Sequence, residues 1–252
     1  EWAAIQQAAP EERAFCIAAA QTGLNPYTAS ENEAATIVDV AERLPESWHQ
    51  EFFSALDVGD LSAGAEQVLA AQGAIRGAGF DLQPLEAIRA MMGGESTPLP
   101  TGRPWEAGYE LATRLRRGAA IGNQPLPDET SLARLLGVSA LPVTVVDGRS
   151  GGSHWLDGVA EETGERRGGL AVVARGEVSK RFAFCRGLLD ILLGEGPVSA
   201  LVTAARTERQ KRNRAFAAEL LAPAGWLRDR NWGRVVEDEA IEEAAEELGV
   251  YS

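Results

Sequence analysis

Between Gly93 and Pro104 the chain reads GGESTPLPTGRP, and the pattern of apolar residues differs on either side of this run. Its glycines and prolines oppose both helix and strand. Upstream, apolar residues recur at helical spacing and nothing alternates with period two. Ala14, Phe15, Ile17 and Ala18 make one stripe, ended by Gly23 and Asn25-Pro26. Ser30 and Glu33 form a capping box ahead of Ile37, Val40 and Ala41, and Trp48, Phe52 and Leu56 follow at spacings of four. Further helices are predicted over 61–76 and 83–92. Downstream, helices are predicted over 105–117, 128–136, 178–193, 206–221 and 235–248. Among them lie three β-rich runs, 142–146, 155–159 and 170–174, the last two flanking a charged hairpin tip over 161–169. The predicted fold class is α+β and predominantly helical. An acidic all-α domain (1–92) and a linker (93–104) precede an α+β domain (105–252) with a small three-stranded sheet and no βαβ repeat.

A chain of 252 residues with 45% hydrophobic and 24% charged content is long enough, and apolar enough, to build a sizeable core. No apolar run nears the roughly 20 residues of a membrane span, and no signal peptide is read. Cys16 and Cys185 are the only cysteines and cannot make a disulfide framework, so a reducing, cytoplasmic setting is expected. The start at Glu1 and the stop at Ser252, just after a helix closed by Gly249, read as a piece truncated at both ends. His49 and His154 are the only histidines, which excludes an HExxH zinc site and leaves little for a histidine triad.

The formal charge of −13 is uneven: residues 1–100 carry 15 acidic and 4 basic groups. Such a surface repels nucleic acid and suits a basic protein partner. The basic groups are 22 arginines against Lys180 and Lys211. One cluster stands out, Arg206, Arg209, Lys211, Arg212 and Arg214, read as a solvated helix face answering the acidic helix over 237–247. Gly148 to Gly152 lacks phosphate-loop spacing and reads as a turn. Cys185 reads as core packing and His154 as a strand-end residue, and His49 has no partner in view.

After the predicted hairpin, Arg181-Phe182 opens a helix, and further on comes Asn213-Arg-Ala-Phe216-Ala-Ala-Glu219-Leu-Leu-Ala-Pro223. Phe216 to Pro223 resembles the second signature of the ImmA/IrrE family of zinc metallo-endopeptidase-like domains, FAAxLLxP. The resemblance covers 104–252 and implies a zincin-like domain, bacterial and cytoplasmic, tied to stress response or to control of repressors and antitoxins. It implies a protein partner; nucleic acid enters only through a possible missing N-terminal domain, and no membrane is implied. The family's HExxH falls here on Arg186, Gly187 and Asp190. Both zinc-binding histidines and the water-activating glutamate are gone, so no catalytic residue, metal ligand or cofactor carries over.

At 100° per residue, Arg186 and Asp190 flank an apolar stripe of Phe182, Leu189 and Leu193, while Glu208, Arg212, Phe216 and Glu219 share a face of the later helix. Three readings follow for Arg186 and Asp190: a solvated i,i+4 pair, a ligand or catalytic role, or a bridge in which the Arg186 guanidinium takes the place of zinc against Glu208 or Glu219. The function expected is a non-catalytic regulatory and protein-binding module. The alternative is a metal-dependent endopeptidase with carboxylate ligands, Asp190 with Glu208 or Glu219; carboxylate-only sites favour magnesium, calcium or manganese over zinc.

Overall fold

The computed structural model describes residues 10–92, 100–146, 154–173, 176–194, 196–230 and 236–250. Among them the protein is α+β and mainly helical. The first half holds α1 (Pro10–Gln21), α2 (Glu31–Arg43), α3 (Glu46–Phe53), α4 (Leu61–Ala78), β1 (Phe80–Asp81) and α5 (Leu85–Met91). Then come α6 (Pro104–Gly118), α7 (Glu129–Leu136), β2 (Val143–Val145), β3 (Leu156–Glu162), β4 (Arg167–Val172) and α8 (Glu177–Leu193). β5 (Val198–Thr203), α9 (Glu208–Leu221), α10 (Ala224–Asp229) and α11 (Asp238–Leu248) complete the order.

Local signals set several boundaries. Ser30 and Glu33 make the reciprocal capping box at the start of α2. Asp128 caps α7, and Gly137 closes it in the left-handed conformation at φ 70°. Among the described residues no helix is long and apolar enough to cross a membrane.

Among the described residues the sheet has five strands, not three. β3 and β4 form an antiparallel hairpin at its centre, and β5 pairs antiparallel with the other side of β3. β1 and β2 both lie along β4, the first antiparallel at Phe80↔Gly168, the second parallel at Val143↔Leu170. β1 is too short to show a period, which is why residues 1–92 read as helices alone. The hairpin tip is also smaller than its charges suggested. Glu161 and Glu162 belong to β3 and are buried, because Gln72 and Arg76 take the first while Arg89 and Arg166 take the second. The expected linker falls mostly on 93–99, outside the described residues.

Both faces of the sheet are covered. Val159, Ala171, Val173 and Leu201 join a core with Trp48, Phe52, Phe53 and Val68. Ala160, Leu170, Val172 and Ala200 join a second core with Ile88, Leu111, Leu132, Phe184 and Phe216. The segment before residue 93 therefore covers one face with α2–α4, supplies the edge strand β1, and sends α5 to the opposite face. One sheet serves both halves of the chain.

Candidate functional site

α8 is the central helix of the second layer, buried continuously from Ala183 to Leu192. It approaches the sheet closely at Gly187. A Cβ there would overlap the Leu170 side chain and stand 3.3 Å from Ala160 Cβ. Position 187 has no room for any side chain, a glutamate included.

One helical step earlier, Arg186 is 3% exposed. Its Nη1 donates to Asp157 Oδ2 at 2.5 Å, and its Nη2 donates to the Thr203 carbonyl at 2.5 Å and to Gln210 Oε1 at 2.7 Å. The Phe182 ring centroid lies 5.9 Å from the guanidinium carbon. Burial pulls the guanidinium below its ordinary value while Asp157 pushes it back up; an arginine so placed remains a cation.

Asp157 reaches Arg186 because of a β-bulge. Leu156 pairs with Thr203 and Gly158 with Val202, so Asp157 is an extra residue in β3. Leu156 shares the core of Val159, three positions away, which uninterrupted alternation would forbid. The bulge resets the alternation and turns Asp157 toward α8.

Asp190, one turn beyond Arg186, does not pair with it. Its carboxylate accepts from Arg209 Nη1 at 3.2 Å, Arg212 Nη2 at 3.4 Å and Asn213 Nδ2 at 2.8 Å, all on α9. Burial pushes the Asp190 carboxyl up, and Arg209, Asn213 and Arg212 act against that rise. Arg209 also donates from Nε to Glu51 Oε1 at 3.1 Å, and Glu51, on α3, accepts from the Thr207 hydroxyl at 2.7 Å. Arg209 thus joins two buried carboxylates from distant parts of the chain.

The same α9 side chains close the free edge of β5. Gln210 is fully buried; its Nε2 donates to the Leu201 carbonyl at 2.8 Å, and its Oε1 accepts the Thr203 N–H at 3.3 Å. That carboxamide does for the edge what the backbone of a neighbouring strand would do. Arg209 Nη2 donates to the Leu201 carbonyl and Arg214 Nη2 to those of Thr203 and Ala205.

Of the positions singled out in the sequence, Arg186, Gly187 and Asp190 fall together on α8 as expected, but Glu208 and Glu219 are not partners of Arg186. Glu208 is exposed, at the rim of an open polar pocket that it shares with Asp190, Glu51 and Arg209. Glu219 accepts the Ala224 N–H at 3.0 Å, at the start of α10. Nor is the basic cluster a solvated face. Arg209, Arg212 and Arg214 are spent on interior carboxylates and carbonyls, leaving Arg206 and Lys211 exposed. The acidic α11 is answered instead by Arg230, through Glu243 and Glu247. Cys185 is fully buried. His154 is exposed, and His49 lies 3.1 Å from the Ala41 and Leu44 carbonyls.

The residues that sequence reading missed are Asp157, Gln210, Asn213 and Glu51. Their signal is weak for a physical reason. Glu208 to Arg214 is seven polar residues in succession, so no apolar residue marks which side of α9 faces inward.

Zinc does not fit these positions. Arg186 is a cation, Gly187 offers no ligand, and Asp190 already faces two arginines. Among the described residues no three His, Cys, Asp or Glu side chains gather into a metal-binding group. Comparisons with protein-family models, with curated proteins and with solved structures found no match.

Proposed function

We propose that the chain is a zincin-like, ImmA/IrrE-derived domain with no peptidase chemistry left, acting as a regulatory module that binds another protein. The observation that carries this reading is the fate of the three motif positions. Arg186 is bonded to three protein acceptors, Gly187 is closed by the sheet, and Asp190 is saturated by Arg209, Arg212 and Asn213. Water activation needs a metal or a free general base, and these side chains provide neither. The sequence resemblance supports reading it as a bacterial, cytoplasmic domain in stress or repressor and antitoxin control, with a protein partner.

The closed edge of β5 bears on how a partner would dock. With the Leu201 and Thr203 backbone groups already taken by Gln210, Arg209, Arg186 and Arg214, strand addition there has nothing to pair with. The acidic surface of the first hundred residues suits a basic partner.

The test is bound metal per chain, by elemental analysis of protein purified without chelator or histidine tag, alongside cleavage of unfolded protein substrates. Less than a tenth of an equivalent and no cleavage is expected. One equivalent of a divalent metal, lost in an Asp190→Asn variant, would overturn the reading in favour of a carboxylate-ligated endopeptidase.

A further inference from the structure

α11 is held to the rest of the protein at few points. Of its eleven residues only Ala244, Ala245 and Leu248 are buried, and none of the three belongs to either core. Ile241 is 42% exposed. Arg230 pairs with Glu243 and Glu247, but both carboxylates are more than half exposed, so this contact stabilises weakly.

The firm contacts lie in the turn that follows. Gly249 closes the helix at φ 62°, and its carbonyl accepts from Arg181 Nη2. Arg181 is buried and donates from Nη1 to the Leu126 carbonyl at 2.6 Å, so one guanidinium ties the end of α11 to the segment before α7. A Cβ at position 249 would stand 2.2 Å from the Pro127 carbonyl oxygen, so the turn seats only with glycine. Val250 then packs on the core and supplies one wall of a pocket of about 440 Å³, whose lining includes Phe182 and Ala183 of α8 and Leu221 of α9.

Nothing in α11 itself holds it helical once that turn is lost. It carries six carboxylates and no basic residue. Asp238 with Glu242 and Glu243 with Glu247 are like charges at i,i+4, and Glu246 and Glu247 sit at the negative end of the helix dipole. Its length is also short of the roughly 12–15 residues at which an isolated helix holds in water.

We propose that α11 with Gly249 and Val250 is a releasable strap, latched by Arg181, that opens and melts as one unit while α8 and the sheet stay folded, and whose release takes the Val250 wall away from the pocket beside α8. A segment with so few buried apolar contacts belongs to the least stable part of a fold. The strap thereby sets how far the face between α8 and α9 is open. It is independent of the regulatory reading and of metal content.

Amide hydrogen exchange of the purified chain at pH 7, across low urea concentrations, tests this. Residues 244–250 are expected to exchange about a hundredfold faster than Phe184 to Leu189 of α8, through an opening nearly indifferent to urea, whereas the α8 amides follow global unfolding. Arg181→Met should speed exchange over 244–250 about tenfold further, the scale of one charged hydrogen bond. Gly249→Ala, which meets the Pro127 oxygen and leaves Arg181 in place, should do the same, so a folding defect in one variant does not decide the outcome. For the pocket, a thiol introduced by Ala183→Cys should react with dithiobis(nitrobenzoate) faster when combined with Gly249→Ala, over the background of the buried Cys16 and Cys185. Exchange over 244–250 that matches α8 in rate and urea dependence would overturn the proposal. So would a complete lack of protection there, exchange unchanged in both variants, or thiol reactivity unmoved by Gly249→Ala.

Discussion

Asp157 stands opposite Arg186 only because β3 carries one residue more than its partner strand. With β3 in uninterrupted alternation the carboxylate would lie on the other face of the sheet, leaving a buried guanidinium with two neutral acceptors. The fold commits a strand irregularity, a helix position and the Gln210 carboxamide to this one cation. Arg186→Met is therefore expected to lose about 3–5 kcal/mol, the usual cost of breaking one side of a buried ion pair. Urea denaturation checks it. A loss below about half a kcal/mol would mean that Arg186 is no more than a surface-like ion pair.

Gly187 and Gly73 should respond to alanine in opposite directions. A methyl group at 187 meets Leu170 and Ala160, and overpacking of this kind costs about 1–3 kcal/mol. At Gly73, within α4, nothing lies within 4 Å of a new Cβ, so alanine there should gain about 0.5–1 kcal/mol. Melting temperatures of the two variants would settle the matter, and a stabilised Gly187→Ala would contradict the close approach of α8 to the sheet.

Arg209→Ala strands Glu51 and Asp190 together in the interior. The variant should be about 2 kcal/mol less stable at pH 7, the scale of hydrogen bonds to charged groups. Burial already pushes the Asp190 carboxyl up and Arg209 is the largest influence against that rise, so without the cation it rises further, protons stabilise the variant more than the wild type, and the deficit narrows as pH falls. Denaturation of wild type and variant between pH 7 and pH 5 reads this directly. A deficit that widens on acidification would reject the assignment of Arg209 as the shared counter-ion.

Sequence alone made part of this legible. Caps and helical stripes marked nearly every helix, since Ser30 with Glu33 and Asp128 with Gly137 act locally. The β3–β4 hairpin was visible too. β5 was not: Val198-Ser-Ala-Leu-Val-Thr203 sits between two helices, and its last four residues are buried by partners far away in sequence. The motif positions on α8 were found by resemblance, whereas their partners were misassigned. Phe216 suggested that Glu208 and Glu219 face inward, but the inward side of α9 begins with Gln210 and Asn213. The bulge at Asp157 depends on the pairing of β3 with β5 and leaves no trace in one strand's own residues.

Cys185 is fully buried beside the sheet layer, and burial pushes its thiol up to about 12. Thiolate is the reactive form, so alkylation by iodoacetamide at pH 8 should wait for unfolding. Its rate should match the global unfolding rate across denaturant concentrations. Rapid labelling of Cys185 in native protein would show that α8 opens locally.

At the start of α7, Asp128 accepts the Ser131 N–H at 2.7 Å, which holds its carboxyl below the ordinary value, with smaller help from Arg181 and Arg134. A carboxylate lowered on folding adds stability above its unfolded value and loses it as pH falls through the folded one. The cap should therefore hold through mild acid and release only below the ordinary aspartate value near 4. The Ser131 amide resonance followed against pH measures it, and Asp128→Asn should make that resonance indifferent to acid.

The sheet with helices from both halves of the chain on its two sides also limits how the gene can be cut. A fragment starting near residue 100 would bare Val159, Ala171 and Leu201 to water, and one ending there would bare Trp48, Phe52 and Val68. Neither is a self-sufficient building block that recombination could move into another protein. Produced as two chains, the pieces should find each other in solution, as the two parts of a complementing split protein do.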